Sequence, residues 1–254
     1  MNDKVDIVIQ GGFEENTFST ALHYLNLSFV NDIIISTWEY EKEKITSLPL
    51  NERIHFVLSE LPAHDGGGNV NYQIISSAEG LKLCTTPTAV KMRSDQTIAL
   101  EDMEKLYKFY NKFHEKNEIF VLGIGTHFPY HPQDHVFWGN KEDVMNLFTV
   151  PQSEWKTYEP NMDFGTTFRS PMYLGAYYYS LISEVAQKHW ENPREYLFDA
   201  SPKRAEALEE YDRIREVGFK PFPRVSMAWH KYGGGYMYDG YYAQGERYYD
   251  EEWE

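Results

Sequence analysis

Short apolar runs alternate along this chain with longer segments of helical period. Val5-Asp6-Ile7-Val8-Ile9-Gln10 is an apolar run closed by Gly11-Gly12 and predicts a buried strand. Phe18, Leu22, Leu25 and Phe29 recur near helical spacing and predict a helix over roughly Asn16 to Leu27. Asp32 to Trp38 predicts a second strand, and the alternation of Ile54, Phe56 and Leu58 within Arg53 to Leu58 a third. Asp65-Gly66-Gly67-Gly68 is a loop, with Asn69 as the cap of a helix running to about Lys82. Thr88 to Ser94 predicts a fourth strand. Leu100 to Glu115 carries Met103, Leu106, Phe109, Tyr110 and Phe113 on one helical face, and Ile119 to Ile124 predicts a fifth strand.

Beyond this point the pattern changes. Residues His127 to His135 form a loop broken by Pro129 and Pro132, feeding a short strand over Val136 to Gly139. Helices are predicted over Lys141 to Phe148, Met172 to Lys188 and Pro193 to Arg215, the last interrupted at Ser201-Pro202. Arg224 to Ala228 is strand-like, Tyr232 to Glu254 is Gly- and Tyr-rich and ends in acid, and no repeat occurs. Strands alternating with helices imply an α/β fold, a mostly parallel sheet with helices on both faces. Ligands bind such sheets beyond the carboxyl ends of the strands. The first half therefore reads as a nucleotide-binding core, although no Gly-x-Gly-x-x-Gly follows its first strand.

Composition narrows the ligands. Of 254 residues, 42% are hydrophobic, and 15 Phe, 6 Trp and 20 Tyr leave aromatics over for pockets. With 24 Lys+Arg against 39 Asp+Glu the net charge is −15, a field that repels nucleic acid. The same field makes a polyanionic ligand awkward unless a metal or a local basic cluster offsets it. One cysteine, Cys84, rules out an intrachain disulfide and fits a reducing compartment. Nothing reaches the roughly 18 consecutive apolar residues of a membrane span, and the start has no signal-peptide pattern. The expected location is cytoplasmic, with peripheral membrane contact and oligomeric state left open.

The chemistry centres on Asp95, just past the fourth strand at the ligand-binding edge. One carboxylate there can hold a hard divalent cation, which takes diphosphate oxygens and neutralises a leaving nucleoside diphosphate. Mn²⁺ or Mg²⁺, with Lys91 and Arg93, would solve the charge problem. The alternative is that Asp95 caps the helix starting near Ala99 or solvates a turn. His127, His131 and His135 recur every four residues, but Pro129 and Pro132 deprive that spacing of helical meaning. No Ser/His/Asp or Cys/His arrangement is visible, and Cys84 reads as a small core residue.

Several segments, in order and spacing, resemble the WavE lipopolysaccharide-synthesis family over roughly residues 5 to 200. They are Val8-Ile-Gln-Gly11, Ile35-Ser-Thr-Trp38, Asn69 to Leu81, Lys91-Met-Arg-Ser-Asp95, Asp134-His-Val-Phe-Trp-Gly139 and Pro193-Arg-Glu-Tyr-Leu197. The resemblance implies a nucleotide-sugar core of GT-A type over 1–230, divided into a nucleotide half (1–125) and an acceptor half (126–230), with 231–254 as a tail. It implies a glycosyltransferase of surface polysaccharide or lipopolysaccharide assembly, acting on a nucleotide-sugar donor and a glycan or glycolipid acceptor. Asp95 would match the last acid of an Asp-x-Asp metal motif whose first acid is here Arg93, itself able to hold a phosphate. Gln10, Gly11 and Trp38 would line the nucleotide pocket, Trp38 by stacking on a base or as a core indole. Of Asn71 and Gln73, which diverge on a helix, Asn71 is favoured as facing the ligand. A base, needed for inversion, would be Glu195, where the family shows a Pro-Glu-type motif, or Asp134. His230 would return late in the chain to the metal. Two other classes stay open: a silent carbohydrate-binding module on the same fold, and a metal-dependent phosphotransferase.

Overall fold

A computed structural model describes residues 4–229 except 15, 116, 126, 155–169, 199–200, 216, 224 and 226, and the side chains of 228 and 229. Its strands are β1 (Val5–Gln10), β2 (Val30–Trp38), β3 (Ile54–Ser59), β4 (Thr88–Arg93), β5 (Gln96–Ile98) and β6 (Ile119–Val121). They continue as β7 (Ile124–Gly125), β8 (His131–Pro132), β9 (Val136–Asn140), β10 (Phe219–Pro221) and β11 (Met227–Trp229). The helices are α1 (Thr17–Tyr24), α2 (Lys42–Thr46), α3 (Val70–Lys82), α4 (Leu100–Phe113) and α5 (Lys141–Leu147). After them come α6 (Ser170–Ser180), α7 (Glu184–Glu191), α8 (Pro193–Tyr196) and α9 (Arg204–Ile214), and a 3-10 turn spans Glu39–Glu41.

Seven strands make the central sheet, in the order β10-β6-β9-β4-β1-β2-β3. β1 to β4, β6 and β10 run one way, and β9 alone runs antiparallel to β4 and β6. The expected α/β fold with a mostly parallel sheet is what forms. Both faces are covered, and strand alternation decides which side chain meets which helix. Val5, Ile7 and Ile9 of β1 pack with Val90 and Met92 of β4 under α1 and α4. Val8 and Ala89 point the other way, into a core with α3, α5, α6, α7 and α9.

Several boundaries differ from the periodic pattern. α1 stops at Tyr24, because Phe18, Ala21 and Tyr24 are its buried stripe and Leu22 is exposed. The segment predicted as one helix over 172–188 breaks into α6 and α7, where Ser183 Oγ accepts from the Ala186 amide and restarts the helix. The segment 193–215 likewise divides into α8 and α9. Asn69 precedes α3 as expected but makes no side-chain cap; its φ of 65° ends a left-handed run begun by Gly66, Gly67 and Gly68. Glycine is required at 66 for a second reason: a Cβ there would lie 2.4 Å from the Asn71 side chain.

Candidate functional site

The sheet order itself locates a crevice. β1, β2 and β3 progress to one side, and the chain then crosses back so that β4 pairs with the opposite edge of β1. At that reversal the carboxyl ends of β1 and β4 lie side by side at one edge of the sheet, the place where open α/β sheets take ligands. Gln10-Gly11-Gly12 and Arg93-Ser94-Asp95 are the residues at those two strand ends. The loops also touch, since the Ser94 amide donates to the Gln10 carbonyl at 2.9 Å. Gly11 has φ 129°, and a Cβ on it would fall 2.6 Å from Ser94 Oγ, so this close approach requires glycine.

α3 roofs the same edge through one helical stripe. Tyr72 meets Trp38, Ser76 donates to Gln10 Oε1 at 2.6 Å, and a Cβ on Gly80 would meet Val8 and Ser36. The spacing i, i+4, i+8 explains why these three share a face. Trp38 is 4% exposed, so its indole is a core ring and offers no open face for a base. Asn71 is also buried, and its amide is given over to the chain. It donates to the His64 and Ser153 carbonyls and accepts from the Ser153 amide. The favoured ligand-facing role for Asn71 is therefore corrected: it clamps two loops, and Gln73 is the partner joined to the strand-end cluster.

At the centre of that cluster Arg93 lies between two carboxylates. Its Nε and a terminal nitrogen donate to the two oxygens of Asp95 at 2.9 and 2.7 Å, and the other terminal nitrogen stands 3.6 Å from Asp134. Asp134 also accepts from Gln73 Nε2 at 3.1 Å and from Ser170 Oγ at 3.3 Å. Burial alone would raise the Asp134 carboxyl, but Arg93, then His135 and Lys91, hold it down at about 2. A carboxylate so stabilised is a weak proton acceptor, which weighs against Asp134 as a general base. Asp95 is held below its usual range too, burial being outweighed by its hydrogen bonds and ion pair with Arg93. The capping alternative for Asp95 is not what the structure holds: α4 begins after Ala99 with no side-chain cap. Next door, burial drives His135 down to about 4, and its Nδ1 lies 2.7 Å from Gln96 Nε2. The ring is thus neutral at physiological pH.

Lys91 sits on the same strand face as Arg93 but one pair of residues deeper, and is fully buried. Its ammonium donates to the Asp134 carbonyl at 2.9 Å, with the rings of Phe137 and Phe148 centred 5.2 and 5.6 Å away. It therefore braces the turn that carries Asp134, its ammonium engaged inside the fold and not at the strand end where the diphosphate role was expected. Burial lowers its pKa to about 7, against the favourable pull of Asp134. The unfolded chain then binds the proton more tightly, so between pH 7 and about 10 folding stability rises with pH through this group. Below pH 7, with both states charged, the contribution is flat. Comparing urea unfolding of wild type and Lys91→Met, the difference is expected to move towards wild type by about 1–2 kcal/mol from pH 7 to pH 9. A pH-independent difference would show that the ammonium is not held in the interior.

Glu195 lies on α8, which packs on α7 and α9; its half-exposed carboxylate pairs with Lys203, and its described partners do not include Arg93, Asp95 or Asp134. His131 falls in β8 and His135 just before β9, so the four-residue histidine spacing is not that of a helix. His230 and the tail 231–254 lie outside the described residues. β11 runs antiparallel to β5, with Trp229 opposite Gln96, the neighbour of Asp95.

A Mn²⁺ or Mg²⁺ ion needs about six oxygen ligands. Among the described residues no group of three or more His, Cys, Asp and Glu is placed to hold a metal, and both Asp95 oxygens already face a guanidinium. The described donor set does not fit a resident ion. The residues not foreseen are Glu41, Gln73's bond to Asp134, Ser170 and Tyr72; the i, i+4, i+8 spacing of Tyr72, Ser76 and Gly80 is the signal that could have found the last.

The sequence matches the WavE lipopolysaccharide synthesis family over residues 6–210. No curated protein matches it. Solved structures with a similar backbone include 4-diphosphocytidyl-2C-methyl-D-erythritol synthase from Anaerococcus prevotii, at 11% identity over 62% of this chain and 79% of that one, TM-score 0.42. HddC from Yersinia pseudotuberculosis aligns at 15% identity over 63% of this chain and 87% of that one, TM-score 0.37. Residues 1–349 of TarS from S. aureus align at 12% identity over 70% of this chain and 55% of that one, TM-score 0.41. At such identity and TM-score these likenesses carry no functional information. No helix among the described residues is long and apolar enough to cross a membrane.

Proposed function

The chain belongs to the WavE lipopolysaccharide synthesis family, and from that premise we propose that it transfers a sugar from a nucleotide-sugar donor to a glycan or glycolipid acceptor. The observation that carries this proposal is the Arg93 fork where the carboxyl ends of β1 and β4 lie side by side. In a protein of net charge −15, a diphosphate needs such a local cation. With Nε and one terminal nitrogen on Asp95, the guanidinium edge formed by its two terminal nitrogens has the spacing of two phosphate oxygens. In the reaction the bond from the sugar's anomeric carbon to the phosphate oxygen breaks, its electron pair passing to the diphosphate. A bond from the acceptor oxygen to that carbon forms, and the acceptor proton leaves to a base. Arg93 would bind the diphosphate and stabilise the charge it gains. Asp95 and Asp134 would aim the guanidinium, and Lys91, Gln73 and Ser170 would keep Asp134 in place.

The base role is proposed for Glu195, whose half-exposed carboxylate pairs with Lys203, and not for Asp134. No step is assigned to a divalent ion, so Mn²⁺ and Mg²⁺ enter as assay variables. The test is release of nucleoside diphosphate from a panel of nucleotide sugars, in Mn²⁺, in Mg²⁺ and in chelator. Asp95→Asn removes one ionic partner of Arg93 and is expected to lower kcat/KM about tenfold, with a loss of stability smaller than that of removing Arg93 itself. Undiminished turnover would remove Asp95 from the site. Absence of turnover and of nucleotide binding in every condition would overturn the transferase assignment in favour of a silent module.

A further inference from the structure

Four exposed aliphatic side chains gather at one place on the helical side of the molecule. Leu181 and Ile182 in the turn after α6, Val185 in the first turn of α7 and Val217 just past α9 are each between 46% and 59% exposed. Ile182, Val185 and Val217, with the buried Ile214, line an open cavity of about 420 Å³ between the head of α7 and the end of α9. Small-molecule sites have volumes of this order.

Polar bonds hold the cavity in shape. Ser183, the cap of α7, donates to Glu210 Oε1 at 2.6 Å, and Arg213 closes on the same buried carboxylate through Nε at 2.8 Å and one terminal nitrogen at 2.6 Å. The Arg213 side chain is 65% exposed, and its other terminal nitrogen has no partner among the described residues. An aliphatic cavity thus carries a guanidinium at its rim, with Glu184 on the α7 side. The lining also says what fills it. In a chain with 20 Tyr and 6 Trp, no Tyr or Trp is among its described residues, although protein partners anchor on such rings. Hydrocarbon needs only aliphatic walls. The helix α6 joins this place to the strand-end cluster: its first residue, Ser170, donates to Asp134, and Leu181 follows its last. Its 11 residues put roughly 16 Å of helix axis between the two.

We propose that this cavity takes the hydrocarbon chain of a glycolipid acceptor, with Arg213 meeting a phosphate next to the chain and the glycan running along α6 towards Asp134. This rests on the transferase proposal and selects the lipid-linked acceptor within it. No helix among the described residues is long and apolar enough to cross a membrane, so a lipid-borne acceptor is met by a surface site of this kind.

The test is calorimetric binding of monomeric hexyl, octyl and decyl phosphate and of inorganic phosphate to the full chain, with UDP, GDP, CDP and ADP as separate ligands. Affinity is expected to rise about fourfold for each added CH2, and inorganic phosphate to bind about a hundredfold or more weaker than decyl phosphate. Ile182→Asn combined with Val185→Asn changes two exposed residues. This variant should keep the wild-type melting temperature and nucleotide affinity and bind decyl phosphate about tenfold or more weakly. Arg213→Gln should weaken every alkyl phosphate about fivefold and leave the gain per CH2 unchanged. Affinity that ignores chain length, or that survives the double variant, overturns the proposal. So does a dimer that the double variant breaks while no alkyl phosphate binds, since the cavity is then a contact between copies. Nucleotide binding without alkyl phosphate binding removes the lipid site and leaves the transferase proposal standing. Alkyl phosphate binding with no nucleotide bound in any condition overturns the transferase proposal and the acceptor role with it.

Discussion

Replacing Arg93 by methionine is expected to reduce kcat/KM for the nucleotide-sugar donor about a thousandfold, the scale seen when a preorganised charge-stabilising donor is lost. The same variant is expected to lose about 3 kcal/mol of stability at pH 7, because two partly desolvated carboxylates are left without their cation. The figure is set at the lower end of such losses, since the Arg93 side chain is 28% exposed. The pH dependence gives the sign. In wild type Asp134 and Asp95 titrate below their unfolded value, Asp134 at about 2. Each therefore contributes stability that is complete above about pH 4 and lost as pH falls through its folded pKa. Without Arg93, burial dominates and mutual repulsion adds to it, so both carboxyls rise. The stability deficit of Arg93→Met should then shrink between pH 7 and pH 4 as the two groups take up protons. Denaturant melts across that range check it, and a deficit that does not change with pH would mean the guanidinium is not their counter-charge. Arg93→Lys, which keeps charge but not the fork, should recover stability better than turnover.

Gly175→Ala is expected to destabilise the fold by about 3 kcal/mol and to impair the site from a distance. A Cβ at 175 would stand 2.1 Å from the Tyr130 carbonyl and 2.6 Å from Pro132 Cδ. Neither obstacle is the free end of a flexible chain, so α6 or the loop must move. That loop is already constrained: Tyr130 is fully buried with φ 54°, and its hydroxyl lies 2.8 Å from His189 Nδ1. Four residues on is Asp134, whose carbonyl holds Lys91 and whose carboxylate faces Arg93. Donor affinity should therefore fall along with the melting temperature. A Gly175→Ala protein with wild-type melting and binding would show that α6 and this loop are not in register as described.

Much of the scaffold was legible because it is local. The apolar runs of β1, β2 and β4 and the stripe of α4 declare themselves by period, and the alternation of strand and helix implies a mostly parallel sheet. Asp95 was legible as a strand-end carboxylate for the same reason. Short pieces were not. β5, β7, β8 and β10 have two or three residues each, too few to show a period, and they exist because a neighbouring strand or loop pairs with them. The break between α6 and α7 turns on one serine cap within an otherwise helical pattern.

The sequence by itself determined the α/β order, the face on which each strand residue lies, and the presence of Arg93 and Asp95 at the carboxyl end of β4. Those follow from periods of two and 3.6 and from strand ends, which chemistry along the chain specifies. Only the tertiary structure decided what those residues touch. It closed Arg93 onto both Asp95 and Asp134, and sank Lys91 between two phenylalanines. It turned Asn71 into a clamp, placed Trp38 inside and left Tyr72 at the rim. The reason is distance along the chain: Lys91 and Asp134 are separated by 43 residues, Gln10 and Ser76 by 66. Burial and pairing of polar groups are settled by such closures, and no local pattern encodes them.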